Sequence, residues 1–446
     1  MAGFWCEHAW LGGDTATPGV LLETDGQELV AVTSGVPCPP DATRLAGLTL
    51  PGLANAHSHA FHRALRGRTQ TGTGSFWTWR EQMYKAAQRL EPDTYRRLAT
   101  AVFGEMALAG VTSVGEFHYL HHGAGGVPYE DANAMGAALV AAAAEAGIRI
   151  TLLDTCYLHG GIGVAPNETQ QRFSDGDGLA WAARVTALTD LQSPTCRIGA
   201  AIHSVRAVDP ATMEIVAAWA GAHDAVLHAH VSEQPAENEQ CVEAYGLTPT
   251  ALLAERGVLD QRFTAVHATH LAVSDIELYG THHSTICMCP TTERDLADGI
   301  GPALMLRDSG ARLSLGSDSH AVVDLFEEAR AVELDERLAS QVRGSHDAPS
   351  LLRAATEYGQ ACIGWPEAGR LEPGGLADFV SLRLDSVRTA GASASTMLEV
   401  AVFGASAADV HHVVVAGEVV VAEGRHGRID VAAELAAAIT DLMGAE

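Results

Sequence analysis

The sequence predicts an α/β protein: a (β/α)8 TIM barrel with a small β-sandwich domain built from both termini. Three observations predict it. Eight apolar, β-branched runs alternate with alanine- and leucine-rich stretches of helical spacing. Histidines and one aspartate fall at the ends of those runs. Short Val- and Gly-rich stretches are confined to the two ends of the chain.

The expected strands are Leu48–Ala54, Val111–Phe117, Ile148–Cys156, Arg197–Ile202, Ala225–Ala229, Phe263–Val266, Ser284–Cys289 and Arg312–Gly316. Between them Asp93–Ala109, Asp131–Ala146, Leu179–Thr189 and Pro210–Ala222 read as helices. Eight strands separated by helices is the count of a closed parallel barrel. Val413–Val421 reads as a hairpin around a Gly-containing turn, and Val431–Met443 as a closing helix. The expected division is 1–47 for the first part of the β domain, 48–371 for the barrel, and 372–446 for the second part with its helix.

Composition narrows the function classes. The chain has 446 residues, 47% hydrophobic, enough for a large core. No run of eighteen apolar residues suggests a membrane span, and the first residues do not read as a signal peptide. The eight cysteines form no framework, and Cys287-Met288-Cys289 reads as free thiols on a buried strand. These features lead to the expectation of a cytoplasmic protein. A formal charge of −27 argues against nucleic-acid and anionic-membrane partners. An acidic small molecule stays open, because local arginines can override the global field.

The chemistry begins at His57-Ser58-His59, where residues i and i+2 of a strand share a side and two imidazoles can grip one ion. His230 ends the fifth run, His267 the sixth, and Asp318 follows the eighth. In a barrel these positions share the C-terminal rim, where active sites lie. Three neutral imidazoles and a carboxylate suit one divalent ion, zinc first and iron second. The expected ligands are His57, His59, His230 and Asp318. Such an ion lowers the pKa of water from about 15.7 toward roughly 7. Glu233, three residues past His230, is expected to shuttle a proton to a substrate nitrogen. His267 is expected to hydrogen-bond the attacking oxygen or the developing tetrahedral centre, and Asp318 to accept a hydrogen bond from the metal-bound water. His228 is assigned to the opposite face of its strand.

The chain resembles the amidohydrolase superfamily, in its ammonia-releasing branch. Within that branch it is similar to the N-formimino-L-glutamate deiminases of histidine degradation. The resemblance rests on Asn55–Phe61, Ser75–Arg80, Gly115–His122, His203–Val208, His230–Gln234, Val266–His270 and Gly316–His320. The Phe-Trp-Thr-Trp-Arg and Glu-Phe-His-Tyr segments are the specific ones. The resemblance implies a metal-dependent deiminase, a dicarboxylate substrate, and a homodimer. Arg80, Tyr119, His203 and Arg206 match positions that hold the substrate carboxylates, and arginine forks suit that task. Two-metal members often bridge their ions with a lysine on strand four. Here that run ends at His203, and the sole lysine, Lys85, falls in an expected helix, which favours one ion.

The sequence departs from the family at His62, where Gln is usual, and at Arg294-Asp295, where a smaller uncharged pair is expected. His62 is therefore carried as a substrate contact. Plainer readings stand beside these. Arg80 also reads as a surface ion pair with Glu81 or Glu105, and Tyr119 as a buried tyrosine with a satisfied hydroxyl. Trp77 and Trp79 are expected in the core. His118, His121 and His122 are read as supporting or surface residues, and Arg63, Arg66 and Arg68 as a solvated or interfacial cluster. The competing function is deamination of a heterocyclic amine such as guanine, another purine or a triazine. A non-catalytic metal protein would have no need of Glu233.

Overall fold

The computed structural model describes residues 2–70, 73–74 and 76–444, with the side chains of Phe76 and Trp77 left aside. Ser75 and the expected packing of Trp77 lie outside the described residues.

The barrel strands, one to eight, are Leu53–Ser58, Val111–His118, Arg149–Cys156, Cys196–Ile202, Leu227–Val231, Phe263–His267, Thr285–Met288 and Arg312–Leu315. They pair in parallel, each with the next, to form the expected barrel. Seven of the eight expected runs fold as barrel strands with ends moved by no more than two residues.

The first run does not. Leu48–Pro51 completes the strand Thr43–Pro51, which belongs to the other sheet, and the barrel begins at Leu53. One unbroken apolar run hides the change because both strands are buried there, so periodicity gives no boundary. The crossing is at Gly52, where a Cβ would stand 2.1 Å from Thr112 Oγ1.

That other sheet has eight strands and draws on both chain ends. Ala2–Ala9, Thr17–Asp25, Glu28–Thr33 and Thr43–Pro51 join Phe379–Leu382, Val410–Val415, Glu418–Ala422 and Arg425–His426. The two halves meet where Phe379–Leu382 runs antiparallel to Thr43–Pro51. The two faces of the expected sandwich are one continuous sheet wrapped around Phe4, Val20, Leu22, Leu45, Phe379 and Val414. The expected hairpin turns at Ala416-Gly417, both with positive φ (54° and 77°), as a two-residue turn demands. The helix Val431–Met443 packs on the barrel helix Pro92–Leu108, where Val431 sits against Gly104.

Closure of the barrel depends on the turn after strand eight. Asp318 N–H donates to His57 O at 3.0 Å, and His59 N–H to Asp318 O at 3.2 Å. Asn55 Nδ2 donates to Ser317 Oγ at 2.7 Å, and Ser317 N–H returns to Asn55 Oδ1 at 2.9 Å. Gly316 lets strand eight pass His57, since a Cβ there would stand 2.8 Å from the His57 Cβ. The floor of the barrel is filled by Ala54, Ala56, Val266, Cys287 and Ile363. His228 donates from Nε2 to Cys362 O at 2.9 Å in that floor. It therefore faces inward on the side of His230, one layer deeper; two residues apart on a strand share a side.

Arg149 on strand three and Asp378 beside the terminal sheet form a fully buried, two-pronged ion pair, at 2.6 and 3.1 Å. Asp378 Oδ1 also accepts the Ala416 amide at 2.7 Å. Removing one partner leaves a buried charge uncompensated. Asp378→Ala should lower unfolding free energy by about 3–5 kcal/mol in urea titration. A loss below about 1 kcal/mol would mean that water or another group takes over the Arg149 charge.

Candidate metal and substrate site

Four donors converge at the C-terminal rim of the barrel: Nε2 of His57, His59 and His230, and Oδ1 of Asp318. His57 Nε2 lies 3.1 Å from His230 Nε2, and His59 Nε2 lies 3.4 Å from it. Asp318 Oδ1 is 3.4 Å from both His57 and His59. Backbone carbonyls set two of the tautomers. His59 donates from Nδ1 to Phe117 O, and His230 from Nδ1 to His203 O, each at 2.9 Å. Their Nε2 atoms thus present bare lone pairs to each other and to a carboxylate.

Burial pushes the ring pKa of all three histidines down; neighbouring imidazoles add to this at His57 and His230, while Asp318 and Phe117 O oppose it at His59. Burial opposes the Asp318 charge, yet the surrounding histidines hold its carboxyl below the usual range. Acceptors crowded this way repel unless a cation sits among them. Donors about 2.0–2.1 Å from one tetrahedral ion stand roughly 3.3–3.4 Å apart, close to the spacing found. The donor set fits a single divalent ion.

Around this centre the backbone is strained. Ser232, His267, Ala268, Asp318 and His320 all have positive φ, and all follow or end barrel strands five, six and eight. Non-glycine residues adopt this conformation rarely, mostly where surrounding structure forces it.

His267 faces the donors from strand six. Its Nε2 lies 3.8 Å from Glu233 Oε1 and 3.7 Å from Asp318 Oδ2, and its Nδ1 lies 3.4 Å from Glu293 Oε1. Burial disfavours its cation, but Glu233, Glu293 and Asp318 outweigh that and hold its pKa well above the ordinary value. Glu233 is buried, and burial raises its carboxyl pKa. Arg206 Nη2 stands 3.8 Å from Glu233 Oε2 on the other side.

The pocket above the donors is lined by every expected substrate residue: Arg80, Tyr119, His203, Arg206 and His62. His62 is buried, with Nε2 2.9 Å from Tyr119 Oη. His203 packs its ring 4.4 Å from that of Tyr157. Arg80 sits on the helix Phe76–Ala87 with its guanidinium 5.6 Å from the Tyr84 ring centre. Trp79, expected in the core, is half-buried against it and also lines the pocket, edge-on to His62 at 5.0 Å. Lys85 lies exposed on the same helix, and His203 follows strand four where a bridging lysine would stand.

Other expectations resolve differently. Arg294 points outward to Asp335 and Glu327, and Asp295 accepts from Gln70, so neither lines the pocket. Arg63 and Arg66 are not a free cluster: both hold Glu105, at 2.6 and 2.7 Å. His118, His121 and His122 are buried. Near them Asp154 already accepts from Arg184 and Trp181 at 2.8–2.9 Å, so that group is a closed ionic network. All eight cysteines are unpaired.

Sequence reasoning missed three acids. Glu237 is buried, holds Arg206 Nε at 3.0 Å and accepts the Ser232 amide at 3.1 Å. Its four-residue spacing from Glu233 at the start of the helix Pro235–Tyr245 was an available signal. Glu293 backs His267 from the helix Pro290–Asp295. Asp298 lies in a loop with no motif; burial, and then Glu233, push its pKa up to about 8.

The amidohydrolase family model matches residues 48–420, which spans the whole barrel and the part of the terminal sheet that follows it as far as the strand Glu418–Ala422. The chain belongs to the amidohydrolase family. This amidohydrolase is 37% identical over 396 residues to formimidoylglutamate deiminase of Pseudomonas aeruginosa, covering 86% of this chain and 87% of that one. It is 29% identical over 423 residues to 5-methylthioadenosine/S-adenosylhomocysteine deaminase of Natronomonas pharaonis, covering 92% and 91%. Among solved structures, an amidohydrolase from Brucella melitensis matches all of both chains with a TM-score of 0.93 at 32% identity.

The four-donor cluster leads to an expectation for this amidohydrolase. Elemental analysis of the purified protein should find about one equivalent of a divalent metal, and His230→Ala should lose it. Two equivalents, both required for activity, would contradict a one-ion centre.

Proposed function

We propose that the protein hydrolyses N-formimino-L-glutamate to N-formyl-L-glutamate and ammonia, with zinc as the first candidate metal and iron as the second. The observation that carries the reading is one pocket with three of the four metal donors (His59, His230 and Asp318) lining it, His57 buried behind them, and two arginines, Arg80 and Arg206, in its wall. A substrate with an amidine-like head and two carboxylates matches that polarity. The 37% identity to a formimidoylglutamate deiminase supports the same substrate. The eight unpaired cysteines and the absence, among the described residues, of any helix long and apolar enough to cross a membrane agree with a cytoplasmic setting.

In this reading His57, His59, His230 and Asp318 hold the ion. When bound, it supplies Lewis acidity, which makes a water nucleophilic near neutral pH. The water oxygen adds to the formimino carbon. Glu233 takes one water proton and delivers it to the imino nitrogen. His267 donates from Nε2 to the oxygen as the carbon becomes tetrahedral. As the carbon–nitrogen bond breaks, the remaining hydroxyl proton passes through Asp318 Oδ2 to the departing nitrogen, leaving the formyl group and ammonia. Tyr119, His203 and His62 orient the substrate, while Arg80 and Arg206 take its carboxylates. Glu237 already engages one edge of Arg206, so the substrate meets the guanidinium from the other side.

A second reading has its own observation. Trp79, Tyr84, Tyr119, Tyr157 and Phe173 ring the pocket, and flat faces suit a heterocyclic amine. The similarity to a 5-methylthioadenosine/S-adenosylhomocysteine deaminase points the same way. Ammonia release measured side by side on N-formimino-L-glutamate, guanine, a second purine and a triazine decides between them. Faster turnover of any heterocycle than of the formimino compound would overturn the first reading.

Two variants test the roles. Glu233→Gln should keep its metal and lose about a hundredfold or more in kcat; loss of metal with normal chemistry after refilling would make Glu233 a ligand instead. Arg80→Met should cost about 2 kcal/mol or more in kcat/KM for the dicarboxylate, and much less for an analogue lacking one carboxylate. Arg80 is the cleaner choice because truncating Arg206 also strands Glu237. Equal losses on both substrates would mean that Arg80 shapes the pocket without reading a carboxylate.

A further inference from the structure

Ser58 stands between the two histidines of the His-x-His pair, so its side chain leaves the strand on the opposite side from theirs. Its hydroxyl is fully buried and gripped on both flanks. Oγ donates to Glu116 Oε2 at 2.6 Å and lies 3.0 Å from His320 Nε2. The other carboxyl oxygen, Glu116 Oε1, accepts the Ala60 amide at 2.7 Å. One carboxyl group thus binds the chain on either side of His59.

The contacts reach across three strands. Glu116 lies on strand two, Ser58 on strand one, and His320 in the turn after strand eight that carries Asp318. That turn is strained at both Asp318 and His320, with φ of 42° and 56°. Strained turns persist only when neighbours over-determine them. His320 is held twice, by Ser58 through its ring and by Arg66 Nε, which donates to its carbonyl at 2.7 Å. Glu116 itself is fully buried and, among the described residues, no arginine, lysine or histidine lies within ion-pair distance of it. A buried carboxyl without such a partner is costly, and its hydrogen bonds are all made to the segment that carries the donors.

We propose that Glu116 is a positioning residue for the metal centre. Through Ser58 and Ala60 it fixes His59, and through Ser58 and His320 it fixes the turn that presents Asp318. The inference rests on the one-ion reading of the donor cluster. Groups that orient metal ligands from outside typically govern affinity by about 10- to 100-fold.

The test measures zinc affinity of the full-length protein by competition with a chromogenic chelator, together with the melting temperature of the metal-free form. Glu116→Met removes both acceptors at similar length and should weaken zinc binding by about tenfold or more. Ser58→Ala removes the bond to Glu116 and the contact with His320 and should weaken it by about threefold. Because both variants break the Ser58–Glu116 contact, the double variant should lose less zinc affinity than the product of the two single losses. A purely structural role would lower the melting temperature and leave the zinc constant unchanged, which would overturn the proposal. Additive losses would overturn it too. If Glu116→Met fails to fold, Ser58→Ala decides: zinc affinity within about twofold of the parent sinks the inference. A parent protein that binds no zinc and no other divalent ion removes the one-ion reading itself.

Discussion

The structure turns on lone pairs that face one another across the rim of the barrel. Phe117 O and His203 O each capture an imidazole N–H, leaving the opposite nitrogens of His59 and His230 bare and facing each other, with His59 also facing Asp318. No arrangement of protons inside the protein satisfies all four acceptors at once. The cost is carried by the barrel, whose strands supply the carbonyls and whose seam supplies the carboxylate. The binding site and the closure of the fold are therefore one set of hydrogen bonds: Asp318 joins strand eight to strand one through its backbone while offering its side chain to the centre.

Charge is graded outward from that point. Burial pushes the three imidazoles nearest the ion site toward the neutral form, whereas His267, only slightly farther out, is surrounded by Glu233, Glu293 and Asp318, which raise its pKa. Beyond them Glu237 and Arg206 form a pair that opens toward the pocket. Acid, base and cation are thus separated within one cavity of a chain whose formal charge is −27.

What the sequence made legible follows from what is periodic and what is not. Barrel strands alternate with helices, and their ends carry the histidines, so strand order and donor positions could be read from spacing alone. The change of sheet at Gly52 could not, because Leu48–Ser58 is buried throughout. Acids such as Glu293, behind His267, and Asp298, near Glu233, come from a short helix and a loop whose direction depends on tertiary packing. Trp79 shows the same limit in reverse: an aromatic at helical spacing looks like core, and only the placing of its helix over the rim brings its ring to His62.

The strand Thr43–Pro51 has one further consequence. Its partner on one side, Ala2–Ala9, has already left the ribosome when it emerges, but its partner on the other side, Phe379–Leu382, is some three hundred residues away. At about 5–20 residues per second, synthesis of the intervening chain takes roughly 15–65 s. For that time a long apolar edge stands open beside a growing barrel, with the backbone groups of Leu48–Pro51 unclaimed on that side. The nascent protein is thus most exposed to misassociation late in translation, and the arrival of a four-residue strand ends that exposure.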